Sequence, residues 1–274
     1  MADTPAPEIT VDGKTYRYTS TLKSDFFSVN YLYESGGTAY VLKISRFRFI
    51  GAFLFQWLAR LFHHWEWRVY SRLDGTPWIP PLAGRYGKNG LLHEFIPGMT
   101  LMQFIKKRKR EGKFDPRSDF GDDFFPRLES TLAEVHRREV AYADMAKLEN
   151  VIVDDRGKPW LIDFQISWPV PPSGPLRPIA LAIYRIIARE DRYHLLKYKG
   201  RYRPDQMTGD ERALRERRSF LNRLHKYLLR KPFHFFKHMI YPKGSNEVVR
   251  WKFRKGETRG AEARSGDTPD KGSR

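Results

Sequence analysis

The chain has 274 residues, 41% of them hydrophobic and 15% aromatic, which is enough to build a packed core in one large domain or two lobes. Its formal net charge is +18 and its pI about 10.0, a balance that attracts nucleic acid, anionic lipid or a phosphorylated substrate without choosing among them. It contains no cysteine, which excludes a disulfide scaffold, thiolate-bound zinc and cysteine catalysis.

Residues 1–13 are Pro-rich and polar and read as a flexible lead-in. The opening MADTPAPEIT lacks the basic and apolar regions of a signal peptide, and no run of 18 apolar residues follows, so the expected compartment is the cytoplasm. Residues 14–45 alternate apolar and polar around a turn at Glu34–Gly37, which predicts a β-meander with Thr38–Ser45 (TAYVLKIS) as its clearest strand. Phe47–Leu73 reads as a helix, strongly aromatic in its first half. A loop over Thr76–Gly84 and a strand over Asn89–Phe95 follow, then a turn and a helix with a basic end in PGMTLMQFIKKRKREGK. Phe124–Glu139 is amphipathic, with Leu128, Leu132 and Val135 at helical spacing. NVIVDD and PWLIDF predict a buried hairpin turning at Arg156–Gly157. Beyond about residue 176 the chain reads as helical and basic: residues 185–274 hold about 25 Lys and Arg against about 11 Asp and Glu. Residues 257–274 are poor in apolar groups and are expected to be disordered. Strands first and helices later predict an α+β fold, with a small β-rich N-lobe over residues 14–96 and a larger helical C-lobe over 97–256.

The chemistry concentrates in YADMAKLENVIVDDRGKPWLIDFQ, Tyr142 to Gln165. Asp144 lies on a loop after the amphipathic helix, Asn150 follows it, and Asp163 ends an otherwise apolar strand. Read alone, the first two cap a turn and the third closes a hairpin. The alternative resembles the core of protein-kinase-like folds, in which a loop Asp orients the acceptor hydroxyl while an Asn and a second Asp hold Mg²⁺ on ATP. Hard cations prefer such oxygen ligands. Three further positions fall in kinase order. Lys43, in the strand VLKIS, would meet the nucleotide phosphates, and Glu66, on a helix face with Tyr70 and Leu73, would orient Lys43. In LLHEFIPG, backbone groups of Glu94 and Ile96 would bond adenine beside His93. Each also has a plain reading: a solvent-facing lysine, a helix carboxylate, an edge strand before a Pro-Gly turn. The order Lys43, Glu66, Glu94, Asp144, Asn150, Asp163 favours the two-lobed protein-kinase-like fold.

Several motifs depart from the common pattern. The His-Arg-Asp position reads Tyr142-Ala143-Asp144, and Asn150 lies six residues after Asp144 where the common pattern has five. Asp163-Phe164-Gln165 replaces Asp-Phe-Gly, and TLKSDFFSVNYLYE, between the first two strands, has no glycine.

Together, KSDFFSVNYLYE…YVLKIS, EWRVYSRLDGTPWIPPL, HEFIPGMTL and YADMAKLENVIVDDRGKPWLIDFQIS resemble the bacterial lipopolysaccharide core kinases, the heptose and Kdo kinases, over about residues 20–205. The spacing of Asp144 and Asn150 and the Asp-Phe-Gln triplet look like that family. The resemblance implies ATP- and Mg²⁺-dependent phosphorylation of a sugar hydroxyl on a lipid at the cytoplasmic face of the inner membrane. A serine/threonine protein kinase shares the ATP machinery, but no Ala-Pro-Glu follows Asp163, where SWPVPPSGPLRPIA leaves no room for a long activation loop. A nucleotide-binding pseudokinase is disfavoured by retention of the phosphate and metal residues, and no RNA-binding signature accompanies the basic charge. Phe47–Trp67 and Arg230–Gly244 mix aromatic and basic residues. Each reads either as a contact with an anionic membrane or as packing against the fold. His136, His194 and His225 sit in helical contexts without metal-ligand spacing.

Overall fold

A computed structural model describes residues 5–24, 28–45 and 56–216 of the protein. The aromatic stretch before residue 56, the segment Arg230–Gly244 and the tail 257–274 lie outside the described residues.

The first lobe is a six-stranded antiparallel sheet. Its strands are β1 (Glu8–Val11), β2 (Lys14–Ser24), β3 (Ser28–Ser35), β4 (Thr38–Ser45), β5 (Leu82–Tyr86) and β6 (Gly90–Glu94), in the order β1-β2-β3-β4-β6-β5. β1 corrects the expectation of a flexible lead-in over residues 1–13. Asp12 and Gly13 both have positive φ, 49° and 76°, and close a two-residue hairpin that pairs Val11 with Lys14. The Asp-Gly signal was present, but the prolines before it hid it. The expected loop Thr76–Gly84 is also shorter than read, because β5 begins at Leu82. The sheet curls until the end of β1 meets β5: a Cβ at Gly84 would stand 2.5 Å from Val11 Cγ1. Ile9, Val11, Tyr16, Val29, Tyr31, Tyr33, Leu42 and Leu92 fill the inner face.

Helix α1 (Gln56–Leu73) joins β4 to β5. Its residues Val69, Tyr70 and Leu73 are buried with the second lobe's core. Alternation along β6 splits the two clusters, Leu92 facing the sheet core and Leu91 the other.

The second lobe begins with β7 (Gly98–Thr100) and α2 (Leu101–Arg110), whose N-terminus carries a capping box between Thr100 and Gln103. A short helix α3 (Pro116–Asp119) leads to α4 (Phe124–Arg137). Phe124, Phe125, Leu128, Thr131, Leu132 and Val135 form the buried face of α4, as the spacing predicts. Next come β8 (Val140–Ala141), β9 (Val151–Asp154), β10 (Pro159–Leu161) and β11 (Trp168–Pro169), then the long helix α5 (Arg177–Tyr202) and α6 (Gly209–Glu216). β9 and β10 form the expected hairpin, and β7 completes their sheet. Gly98 is required there, because a Cβ on it would lie 2.2 Å from Val153 O. That contact fixes the joint between the lobes against the hairpin that leads into Asp163.

Candidate active site

Lys43 sits near the end of β4, opposite Leu91 of β6, with its side chain turned toward α1 and the β10 exit. Its Nζ donates to Glu66 Oε1 at 2.8 Å and to Asp163 Oδ1 at 2.9 Å. Sequence separations of 23 and 120 residues are thus joined at one ammonium group. Burial works against the charge on Lys43, but Asp163 and Glu66 outweigh it and raise its pKa above the ordinary lysine value. Burial also pushes Glu66 up, whereas Lys43 overcomes burial at Asp163 and holds that carboxyl below its usual range. Asp163 is 41% exposed at its side chain, so the carboxylate that ends the apolar strand faces the cleft.

The loop from Asp144 to Asn150 explains the six-residue spacing. Lys147 N donates to Asp144 O at 3.1 Å, and Asn150 N donates to Lys147 O at 3.2 Å. Two successive turns of three residues each return the chain on itself, and Asn150 Nδ2 reaches Asp144 Oδ2 at 2.8 Å. Lys147 Nζ donates to the same oxygen at 2.6 Å. Both bonds converge on Oδ2 and leave Oδ1 outside them. Burial raises the Asp144 pKa, and the bonds from Lys147 and Asn150 only partly oppose it.

The loop hangs from a residue that sequence reasoning missed. Asp191, buried on α5, accepts from Tyr142 N at 2.8 Å and Ala143 N at 2.9 Å, and its Oδ2 lies 3.2 Å from His136 Nε2. Its signal was a carboxylate on the same helix face as the buried Ala180 and Leu195. His136, which the sequence offers only as a helical histidine without metal-ligand spacing, is its partner. Ala143 and Asp163 both have positive φ, 67° and 63°, so backbone strain sits beside both acidic groups.

A column of rings connects the two halves. His93 stacks on Tyr70 at 5.8 Å and 7°, Tyr70 meets Phe164 edge-on at 5.1 Å, and Phe164 meets Tyr142 at 5.1 Å. The Tyr142 hydroxyl donates to Ile162 O, and the Tyr70 hydroxyl bonds the Asp163 backbone. Tyr142, at the histidine position of the common motif, is therefore a buried packing residue. Ser167 Oγ donates to Tyr142 O at 3.0 Å and Trp65 Nε1 to Ser167 O at 2.6 Å, so the chain leaving Asp163 is fastened at once.

At the joint, Glu94 N donates to Pro81 O and Phe95 N to Ala39 O, both at 2.9 Å. The Glu94 N–H is thus occupied within the fold, which narrows the expected purine contacts to the backbone of Ile96 and the second lone pair of the Glu94 carbonyl. His93 Nδ1 donates to Glu94 O at 2.8 Å, and burial lowers the His93 pKa to about 4.

Asn150 and Asp163 offer amide and carboxylate oxygens of the kind Mg²⁺ prefers. Among the described residues no group of three His, Cys, Asp or Glu could form a metal site. Two protein ligands suit a Mg²⁺ that keeps waters and arrives on nucleotide phosphates, so the donor set fits that ion. Among the described residues no helix is long and apolar enough to cross a membrane.

No family model matches the chain. A Caenorhabditis elegans protein named as a ribosomal protein S6 kinase alpha-2 is 31% identical over 105 residues, covering 37% of this chain. This chain spans 13% of that protein. Among solved structures, the BubR1 kinase domain superposes with a TM-score of 0.52 at 15% identity, covering 73% of this chain and 65% of that one. The PK-1 kinase of Cydia pomonella granulovirus aligns with a TM-score of 0.44 at 20% identity, over 57% of this chain and 55% of that one. The β-rich first lobe, the helical second lobe and the BubR1 superposition together make this a protein-kinase-like α+β fold.

Proposed function

We propose that the chain is an ATP- and Mg²⁺-dependent phosphotransferase with an alcohol hydroxyl as acceptor. The observation that carries this reading is the assembly of Lys43, Glu66 and Asp163 at one ammonium group, near enough to the Asp144–Asn150 pair for the Asp163 carboxylate to act on Asp144. When bound, Mg²⁺–ATP supplies the transferable phosphoryl group and the charge compensation for its transfer. Asn150 and Asp163 would hold the cation, and Lys43, held in place by Glu66, would neutralise phosphate oxygens. Asp144 would orient the acceptor hydroxyl and take its proton at Oδ1, with Lys147 and Asn150 fixing the carboxylate through Oδ2.

Two acceptor classes are in play. The name of the Caenorhabditis elegans relative, a ribosomal protein S6 kinase, supports a hydroxyl on a protein, the serine/threonine kinase alternative. A saccharide hydroxyl on a lipid is supported by the resemblance to lipopolysaccharide core kinases and by one structural observation. Residues 164–176 alone separate Asp163 from α5, and they are pinned by Trp65, by Ser167, by β11 against β8 and by Arg177 on Glu139. Little chain remains there to build a platform for a peptide.

The deciding experiment offers labelled ATP with Mg²⁺ to the wild type and Asp144→Asn, against a generic protein substrate and against core lipopolysaccharide. Label on protein or lipid, lost in the variant, selects the acceptor class. Nucleotide binding without transfer to either would sink the phosphotransferase reading in favour of a pseudokinase.

A further inference from the structure

Four large apolar residues are exposed among the described residues: Ile166, Leu176, Ile179 and Ile186, at 53%, 68%, 60% and 45%. Isolated exposed apolar residues need no explanation, but all four of these fall in one short stretch of chain. Leu176 is the N-cap of α5, and Ile179 and Ile186 lie in its first three turns. Leu176, Ile179, the half-buried Ile183 and Ile186 recur at spacings of three and four, so they form one stripe. The buried face of the helix, with Ala180, Asp191 and Leu195, points elsewhere. Arg189 is exposed on the flank next to Ile186, and Arg185 is exposed farther round the same side of the helix.

An apolar stripe edged by arginines fits an interface between water and lipid, where the chains of Leu and Ile enter the acyl boundary and the guanidinium groups stay among headgroups. Charge decides among the partners that could cover it. Residues 217–274 hold about 16 Lys and Arg against about 5 Asp and Glu, so this chain's own tail would set like charge against Arg185 and Arg189. A second copy would bring the same arginines. An anionic lipid surface complements both the stripe's edge and the net charge of +18. We propose that the exposed face of α5, from Leu176 to Ile186 with Arg185 and Arg189, is a docking surface for an anionic membrane.

The placement has a consequence for the site. Trp168 Nε1 donates to Ala180 O at 3.1 Å, and Trp168 packs against Trp65 at 5.8 Å. The first turn of α5 is thereby fastened to the segment that leaves Asp163, and Ile166 lies three residues beyond that aspartate. Docking through α5 would set the cleft close to the headgroup layer. The inference does not depend on the acceptor class, because its readout is adhesion rather than transfer.

The test is sedimentation of the full chain with phosphatidylcholine vesicles and with vesicles that also contain phosphatidylglycerol, at low and high salt. Wild type, Ile179→Ser/Ile186→Ser and Arg185→Glu/Arg189→Glu are compared, with Tm and gel-filtration mass measured without lipid. The expected result is binding to the anionic vesicles only, reduced at least about threefold by either double variant at unchanged Tm and mass. Wild-type binding by both variants would overturn the proposal and leave adhesion to the basic tail. No binding by the wild type would overturn it outright. A lower Tm for the serine variant would show the stripe covered by the chain itself, and a change in mass would show it covered by a second copy; either also overturns it.

Discussion

The two walls of the cleft are held by opposite means. On the nucleotide side, Lys43, Glu66 and Asp163 come from three distant parts of the chain and meet through full charges, two of them almost removed from water. On the acceptor side, Asp144, Lys147 and Asn150 are close in sequence, and short turns and backbone hydrogen bonds to Asp191 hold them. The first arrangement fixes a charge, and its failure should appear as lost stability. The second fixes a direction, and its failure should appear as lost rate.

The largest effect tests the acceptor wall. Asp144→Asn keeps the size and the hydrogen bonds of the side chain but removes the base. Transfer should fall about 10²- to 10⁴-fold with nucleotide affinity and Tm little changed. In the wild type, the acid limb of the rate–pH profile should lie above the ordinary aspartate range, because burial raises the Asp144 pKa. An acid limb in the ordinary range would mean that the carboxylate is better solvated than its position implies.

Lys43→Met tests the nucleotide wall. It leaves Glu66, 1% exposed at its side chain, without its cation, and removing one partner of a buried pair costs about 3–5 kcal/mol. Chemical denaturation would measure that loss, and adding Glu66→Gln in the same background should recover part of it. An additive double variant would show that the pair is not coupled and would dissolve the contrast between the walls.

This contrast also sets what could be read from the sequence. Lys43, Glu66, Asp144, Asn150 and Asp163 stood out because phosphate and metal chemistry permits few residue types, and their order along the chain is fixed by the strands and helices that carry them. The hairpin into Asp163 and the face of α4 were legible from alternation and helical spacing. Asp191, Tyr70 and His93 were not singled out as a support, because each acts through a contact that exists only after distant elements pack. Asp191 lies 49 residues from the amide of Tyr142 that it holds. Lys147 was overlooked although it lies three residues from Asp144, since an exposed loop lysine has no pattern that separates it from a solvated charge. β1 was missed because Pro5 and Pro7 just before it outweighed its Asp-Gly turn.

A smaller effect concerns the ring column between the walls. His93 is half-buried and neutral, and burial holds its folded-state pKa near 4, below the ordinary imidazole value of 6.5. On acidification the unfolded chain binds this proton first, so stability should fall as pH drops from about 6.5 toward 4. The loss should be about 2 kcal/mol after allowance for partial exposure. His93→Gln should flatten that part of the stability–pH curve relative to wild type, as read by denaturant titration at successive pH values. Identical slopes would show that the imidazole is solvated and does not seal the column.

The smallest effect bears on the acceptor wall again, through its backbone. Ala143 has a φ of 67°, in the left-handed region, where a Cβ costs roughly 1–2 kcal/mol. Its amide is held there by Asp191 Oδ1 at 2.9 Å. Ala143→Gly would release that strain but would also raise the entropy of the unfolded chain, by about 0.4–1 kcal/mol. The two oppose each other, and the net should be a gain of up to about 1 kcal/mol, visible as a modest rise in Tm. Transfer should change little, because Asp191 still holds the turn and Lys147 and Asn150 still fix the carboxylate. If Ala143→Gly instead lowers both Tm and rate, the methyl group is part of what aims Asp144. The acceptor wall would then depend on side-chain packing as well as on its hydrogen-bonded backbone.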